Sequence, residues 1–235
     1  MTVIYKSSHI GHLHEELNGE NQDCISTKQN NKRTVISLAD GVSSCSEGRA
    51  GAEIACEAIT HLMMKKGDLI MEYEDEKIAT ITIGHILGEI EKRALASGKA
   101  VEEYSSTTAC LLYDETAEKI LCFNLGDGLV MSVADDGYHI VARPFDSSDG
   151  CCVTTTINAK DIAEVKVLDS SGSDAFIICS DGAWRHLFTG NRMKPEVALL
   201  IEACDFVGLE NYLDQQVCED DYSFVSLIIN KGRLS

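Results

Sequence analysis

Apolar residues along this chain follow two patterns, a helical spacing in some segments and nearly continuous runs in others. Four segments have the three- and four-residue spacing of an amphipathic helix, which predicts helices with one buried face. The two clearest contain Ala52, Cys56, Ile59 and Met63, and then Ile83, Leu87, Ile90 and Ala94 within about 74–97; the other two cover roughly Lys194 to Ala203 and Leu209 to Val217.

Runs of β-branched and apolar residues predict strands elsewhere. The first forty residues have strand character, and the run from Thr34 to Ala39 ends abruptly at Asp40-Gly41. Asp135-Asp136-Gly137 separates two later runs and is typical of a hairpin turn. The later predicted strands are Thr107–Tyr113, Lys119–Leu125, Leu129–Ala134, Tyr138–Ala142, Cys152–Thr156, Ile162–Val167, Ala175–Cys179 and Ser223–Ile229.

The order of these elements indicates the fold class. Strands, helices, strands, helices and a last strand do not fit a doubly wound parallel sheet, and they favour an α+β fold of antiparallel sheets packed together and flanked by helices. Because no repeat, low-complexity tract or Pro/Ser-rich linker marks an internal boundary, we expect residues 1–235 to form a single domain.

Charge excludes several function classes. The 235 residues carry 38 Asp+Glu against 20 Lys+Arg, a net charge of −18 that repels nucleic acid and anionic membranes. No apolar run has the length of a signal peptide or a membrane span, so we expect a cytoplasmic protein. The ten cysteines are scattered without a C-x-x-C pair, which favours reduced thiols, although Cys151-Cys152 is an adjacent pair.

Five Asp-Gly dipeptides occur, and a turn is the simplest interpretation of each. That interpretation suffices for Asp136 and Asp149, whereas Asp40, Asp127 and Asp181 each follow a nearly continuous apolar run. A run that apolar is buried on both faces, so its terminal carboxylate lies at the rim of the core, where an unpaired charge is costly. We therefore expect positive charge near these three carboxylates.

Divalent cations could supply that charge. Asp23 and Asp220-Asp221 have similar settings, and Lys and Arg are scarce beside all of these acids. Oxygen-only ligands select Mg²⁺ or Mn²⁺, whereas zinc would call for His and Cys at short spacings. Two dications would cancel the charges of four carboxylates and could then accept a phosphate dianion; those carboxylates are Asp23, Asp40, Asp181 and Asp220.

Six short motifs resemble, in order, those of the metal-dependent serine/threonine protein phosphatases of the 2C class in their compact bacterial form. They are Asn21-Gln22-Asp23, Ala39-Asp40-Gly41-Val42, Thr107-Thr108, Asn124-Leu125-Gly126-Asp127, Cys179-Ser180-Asp181-Gly182 and Asp220-Asp221-Tyr222-Ser223. The resemblance implies a four-layer α-β-β-α sandwich of two antiparallel sheets. It also implies Mg²⁺- or Mn²⁺-dependent hydrolysis of phosphoserine and phosphothreonine in proteins by a water that bridges two metal ions.

The resemblance also implies roles for individual residues. By it, Asp40 bridges both ions, the Gly41 carbonyl binds one of them, Asp181 and Asp220 bind the other, and Asp23 orients metal-bound waters. Asp127, together with Asp181, would hold a third and weaker ion. The implied partner is a phosphoprotein, a serine/threonine kinase or its target.

The sequence departs from the family pattern at three places. The phosphate-gripping Arg expected before the first motif is absent from Leu17-Asn18-Gly19-Glu20, Val42 stands where many members have His, and Gly128-Leu129 replaces Ser-Arg. These departures keep a second function open, a catalytically inactive phosphatase-like module that binds a phosphoprotein or regulates a partner kinase. The sequence also leaves open a third function, a phosphatase for a small phosphorylated metabolite.

Histidines near the first motif allow three interpretations. His14 could replace the missing Arg as a substrate-binding residue, it could lie on a solvated turn, or it could bind zinc with His9, His12 and Glu15. Trp184 and Arg185, just after Asp181-Gly182, are predicted to form the first turn of a packed helix rather than substrate contacts.

Overall fold

A computed structural model describes residues 2–17, 19–145 and 153–229 of the chain. The strands are β1 (Val3–His9), β2 (Asp23–Gln29), β3 (Arg33–Asp40), β4 (Thr108–Asp114), β5 (Lys119–Leu125), β6 (Leu129–Ala134), β7 (Gly137–Ala142), β8 (Glu164–Asp169), β9 (Ser173–Cys179), β10 (Phe188–Thr189), β11 (Arg192–Met193) and β12 (Tyr222–Ile228). The helices are α1 (His12–Glu16), α2 (Gly48–Ile70), α3 (Asp75–Ser97), a 3₁₀ turn (Val101–Tyr104), α4 (Ala159–Ile162), α5 (Asp181–Leu187), α6 (Pro195–Glu202) and α7 (Phe206–Leu213).

Two five-stranded sheets form the centre of the fold. One has the strand order β2-β3-β4-β5-β8 and the other β1-β12-β9-β6-β7, and every neighbouring pair in them is antiparallel. Strands β10 and β11 form a separate two-stranded ribbon. The predicted hairpin at Asp135-Asp136 is confirmed, because Ala134 pairs with Gly137.

The residues of β3 show how the layers are built. Ile36 and Leu38 lie in the apolar layer between the two sheets, which also contains Phe176 and Val225 of the second sheet. Residues of the opposite face of β3 pack with α2 and α3, and α5, α6 and α7 cover the outer face of the second sheet. The α+β class and the α-β-β-α sandwich predicted from the sequence are therefore confirmed.

One predicted strand is wrong. Residues 153–156 form turns instead of a strand, because the Thr156 hydroxyl accepts a hydrogen bond from the Val153 amide at 3.3 Å and the Thr156 amide donates to the Val153 carbonyl at 3.0 Å. Asp149, Cys151 and Cys152 lie outside the described residues. The cysteines that the structure describes carry free thiols, and none of its described helices combines the length and apolar character that a membrane crossing requires.

Candidate metal centre

Asp23 and Asp40 come together because β2 begins where β3 ends. They are direct partners in the antiparallel β2–β3 ladder, so both side chains lie on one face with their Cβ atoms about 5 Å apart. Like charges opposite each other destabilise a sheet. The pair therefore requires either a proton or a bound cation.

The end of β3 is held by backbone contacts. The Asp40 amide donates to the Thr107 hydroxyl at 3.1 Å, and the Thr107 amide donates to the Asp40 carbonyl at 2.8 Å. The backbone of Gly48, at the start of α2, approaches Gly41 so closely that a Cβ at Gly41 would collide with it. Only glycine allows this approach, so the Asp40-Gly41 segment is held against the helix.

Asp181 and Asp220 come from the second sheet. Asp181 follows the end of β9 as the first residue of α5, and Asp220 precedes the start of β12, the antiparallel neighbour of β9. The Ser180 amide donates to the Ser223 carbonyl, and the Ser223 amide donates to the Ser180 hydroxyl, each at 2.9 Å. These reciprocal bonds keep the two segments, and hence the two acids, side by side.

Carboxylate oxygens at this junction are buried without hydrogen-bond partners. They are both oxygens of Asp23 and Oδ1 of Asp181, and each of these residues is only 6% exposed. Burial raises the pKa of Asp23 well above its usual range, although the nearby Ser223 and Ser180 hydroxyls oppose this rise. Their protons are directed elsewhere, however, to the Ser223 carbonyl and to the Ser8 hydroxyl.

The acids also affect one another's protonation. Burial is the main cause that raises the pKa of Asp40 well above its usual range, and four neighbouring charges add to it: those of Asp23, Asp181, Asp220 and Asp127. Burial likewise raises the pKa of Asp181 to about 6, with further contributions from Asp127 and Asp220. The sequence-predicted carboxylates therefore face one another across one small region.

This donor set suits hard divalent cations. The unpartnered buried atoms are carboxylate oxygens, which Mg²⁺ and Mn²⁺ prefer. Burial and neighbouring charges disfavour the anionic forms of Asp23, Asp40 and Asp181, and a dication would remove both penalties. The residues present therefore fit a pair of such ions.

Asp220 and Asp221 are adjacent in sequence, but their environments differ. Asp221 is 2% exposed and accepts hydrogen bonds from the Gly11 amide at 2.7 Å, the Gln22 amide at 2.6 Å and His14 Nδ1 at 2.9 Å. Asp221 thus anchors the segments before α1 and β2. Ligand atoms of His14, Asp220 and Asp221 all lie within 4.8 Å of one another, so His14 borders the acid cluster.

The three histidines near the first motif have different partners. His9 bonds to Glu210 and stacks on Tyr222, and His12 pairs with Glu16. The side chain of His14 is 17% exposed and pairs with Asp221. The structure therefore does not bring these histidines together as a zinc site, and it replaces the solvated turn at His14 with a short helix.

Arg185 is a cation near the cluster that the sequence reasoning did not place there. Trp184 and Arg185 lie on α5, as predicted, and Trp184 packs against the core of the second sheet. The Arg185 Nη1 atom lies 2.8 Å from Asp181 Oδ2. The four-residue spacing from Asp181 to Arg185 on a predicted helix was the available signal, because such pairs lie on one helical face.

Asp127 lies in a bend after β5, next to α5. The Trp184 indole Nε1–H donates to the Asp127 carbonyl at 2.7 Å, and the Asn124 side-chain amide donates to the Gly128 carbonyl at 3.1 Å. Burial raises the pKa of the Asp127 carboxyl, and the charge of Arg185 opposes this rise. Asp127 therefore lies beside Asp181 and Arg185.

Comparison with known proteins identifies the family of this chain. The sequence model of the family described as protein phosphatase 2C matches residues 10–219. The chain therefore belongs to the protein phosphatase 2C family and is a protein phosphatase by class. A comparison with curated protein sequences gives no match.

Solved structures of bacterial phosphatases share the fold. One bacterial serine phosphatase, with a point substitution, is 14% identical, covers 98% of each chain and has a TM-score of 0.74. Serine/threonine phosphatase Stp1 from Staphylococcus aureus is 12% identical over 98% of this chain and 96% of its own, with a TM-score of 0.70. The catalytic domain of PstP, solved with two manganese ions, is 13% identical over 97% of each chain, with a TM-score of 0.70.

Proposed function

We propose that this protein hydrolyses phosphoserine and phosphothreonine in proteins with the help of two Mn²⁺ or Mg²⁺ ions. The observation that carries the proposal is the convergence of buried, unpartnered carboxylate oxygens from both sheets at one edge of the sandwich. In the proposal the ions are held by Asp23, Asp40, the Gly41 carbonyl, Asp181 and Asp220.

The position of each residue supports its proposed role. Charges of acids from both sheets raise the pKa of Asp40, which suits a carboxylate shared by two ions. Asp181 keeps Oδ1 buried without a hydrogen-bond partner, which suits a ligand of one ion together with Asp220. Asp23 lies opposite Asp40 with both oxygens unpartnered, which suits a residue that orients water.

The chain's own residues prepare the site for a phosphate group. When bound, the two ions lower the pKa of water and stabilise charge on the phosphoryl oxygens. Without cations, the acid cluster and the net charge of −18 would repel a phosphate dianion. No side chain is needed as a nucleophile in this proposal. The proposal does not include the predicted third ion between Asp127 and Asp181, because Arg185 already pairs with Asp181.

Contributions from both sheets to one site support treating residues 1–235 as a single phosphatase domain. The implied substrate is a phosphoprotein, either a serine/threonine kinase or its target, and the expected location is cytoplasmic. His14 stays a prediction as a substrate-binding residue. Since its Nδ1 donates to Asp221, its Nε2 would be the atom that meets phosphate.

Substrate profiling tests the proposal. The purified protein is incubated with Mn²⁺ and phosphoserine, phosphothreonine and phosphotyrosine peptides, an aryl phosphate and small phosphorylated metabolites, and phosphate release is measured with and without EDTA. We expect Mn²⁺-dependent release from the first two peptides and the aryl phosphate. Activity confined to a metabolite would show that the substrate is a small molecule instead of a phosphoprotein. Inactivity on every phosphomonoester would favour the catalytically inactive module that binds a phosphoprotein.

A further inference from the structure

We propose that Arg185 binds the substrate phosphate and that its guanidinium occupies the place predicted for a third metal ion between Asp181 and Asp127. This inference rests on the proposed function, because it concerns the same site. It makes the centre a two-ion site with an organic cation built in beside the ions.

The two oxygens of Asp181 have different partners. Oδ1 is buried without a hydrogen-bond partner, whereas Oδ2 lies 2.8 Å from Nη1 of Arg185. One oxygen thus remains for the proposed ion pair while the other is neutralised by the guanidinium. A third ion sharing Asp181 would have to displace Arg185 from Oδ2.

Asp127 borders the same surface cleft as Arg185. The hydrogen bond from Trp184 to the Asp127 carbonyl holds the Asp127 bend against α5, one residue away from Arg185. The chain therefore already supplies a positive charge to Asp181, in a cleft that Asp127 also borders.

Arg185 also has donors and space for a phosphate. A guanidinium carries five N–H donors in a planar fork that matches phosphate oxygens, and it stays charged at every working pH. The contact with Asp181 uses Nη1, and the side chain is 56% exposed. Two surface clefts meet at Arg185, one bordered by His14 and Asp220 and the other by Asp127.

Two other basic groups near the acid cluster, Arg49 and His14, are already engaged. Arg49 contacts the Asn21 carbonyl and pairs with Glu20 and Glu53. His14 donates Nδ1 to Asp221 and has only one further ring nitrogen. Since the segment before the first motif carries no arginine, Arg185 is the side chain best placed to offset the repulsion between this acidic protein and a phosphate dianion.

Calorimetry with inorganic phosphate tests the inference without requiring turnover. Phosphate is titrated into the Mn²⁺-loaded wild type, Arg185→Ala, Arg185→Lys and Arg93→Ala, a control that removes the same charge from the exposed face of α3. We expect roughly tenfold weaker binding or more for Arg185→Ala, a smaller loss for Arg185→Lys because it keeps the charge without the fork, and no change for Arg93→Ala. Circular dichroism checks that each variant is folded.

A Mn²⁺ titration of the same proteins counts the ions. We expect two ions per chain in the wild type. Three ions in the wild type would overturn the inference. Unchanged phosphate binding in folded Arg185→Ala would also overturn it, because this is the result expected if Arg185 only pairs with Asp181 along the helix. Where peptides are hydrolysed, Arg185→Ala should raise KM more than it lowers kcat. A wild type that binds phosphate through Arg185 but hydrolyses nothing would contradict the proposed function and leave this inference intact.

Discussion

Asp23 and Asp40 lie directly opposite each other across the β2–β3 ladder, at the point where one strand begins and the other ends. Such a pair costs stability when both carboxylates are ionised. Both oxygens of Asp23 are also buried without partners. The sheet thus keeps a repulsive pair at its edge, an arrangement that is explained if cations are bound between these strands and the second sheet.

Metal binding should stabilise the fold. Mn²⁺ or Mg²⁺ that binds the folded state raises its free energy of unfolding by about 2.7 kcal/mol when the free ion is a hundred times its Kd. We expect millimolar Mn²⁺ to raise the Tm of the EDTA-treated protein, as measured by scanning calorimetry. An unchanged melting curve would count against the ion pair, and Ca²⁺ provides a comparison ion with a larger coordination shell.

The metal-free protein should become less stable as pH rises through the range in which Asp181 ionises. Its pKa is raised from 3.8 to about 6, so the folded state holds this proton more tightly than the unfolded state. The resulting stabilisation is complete below about pH 4, is lost as pH rises through 6, and amounts to roughly 3 kcal/mol.

Comparison with Asp181→Asn isolates that contribution. In EDTA, the Tm of the wild type minus that of Asp181→Asn should be smaller at pH 7 than at pH 5. Adding Mn²⁺ at pH 7 should raise the Tm of the wild type above that of Asp181→Asn. A relative Tm that is the same at both pH values would show that the carboxyl titrates normally.

Asp221 should matter for stability more than for metal binding. It accepts three hydrogen bonds while almost fully buried, so Asp221→Ala leaves two backbone amides without their acceptor. We expect a loss of about 3 kcal/mol in urea unfolding. Glu219→Ala, two residues earlier and exposed, is the control; equal stability of the two variants would remove the anchoring role.

Asp127→Ala distinguishes the two accounts of the region around Arg185. A third ion that supplied a proton to the leaving group would make the variant slower on a phosphoserine peptide than on an aryl phosphate, whose leaving group departs without a proton. Arginine cannot donate that proton. If Arg185 occupies the place of the third ion, we therefore expect the activity of Asp127→Ala to fall by the same factor on both substrates. A selective loss on the peptide would restore the third ion.

The sequence predicted most of the framework because its signals are local. The β3 run is apolar on both faces, and the structure places Ile36 and Leu38 between the sheets and Val35 and Ala39 on the helix side. The helical spacing of α2 likewise matches its buried face, which includes Ala52, Cys56, Ile59 and Met63. A continuous β-branched and apolar run thus determined β3, and a helical spacing of apolar residues determined α2.

Features that depend on distant contacts could not be read in this way. Helix α1 is held by amide hydrogen bonds from His12 and Leu13 to the carbonyls of Cys218 and Glu219 at 2.9 and 3.1 Å, about 200 residues away in the chain. The different environments of Asp220 and Asp221 depend on the same long-range contact. The assignments of individual metal ligands stay predictions, since they concern ions rather than the packing of the chain.

The proposed two-ion site is tested most directly by comparing Asp40→Asn with the wild type in Mn²⁺-dependent hydrolysis of a phosphothreonine peptide. This change removes the proposed shared carboxylate with little change of shape, so we expect a folded protein whose kcat falls by roughly 10²-fold or more. Asp136→Asn, in the exposed β6–β7 turn, should retain wild-type activity. A folded Asp40→Asn variant with near-normal turnover would contradict the account.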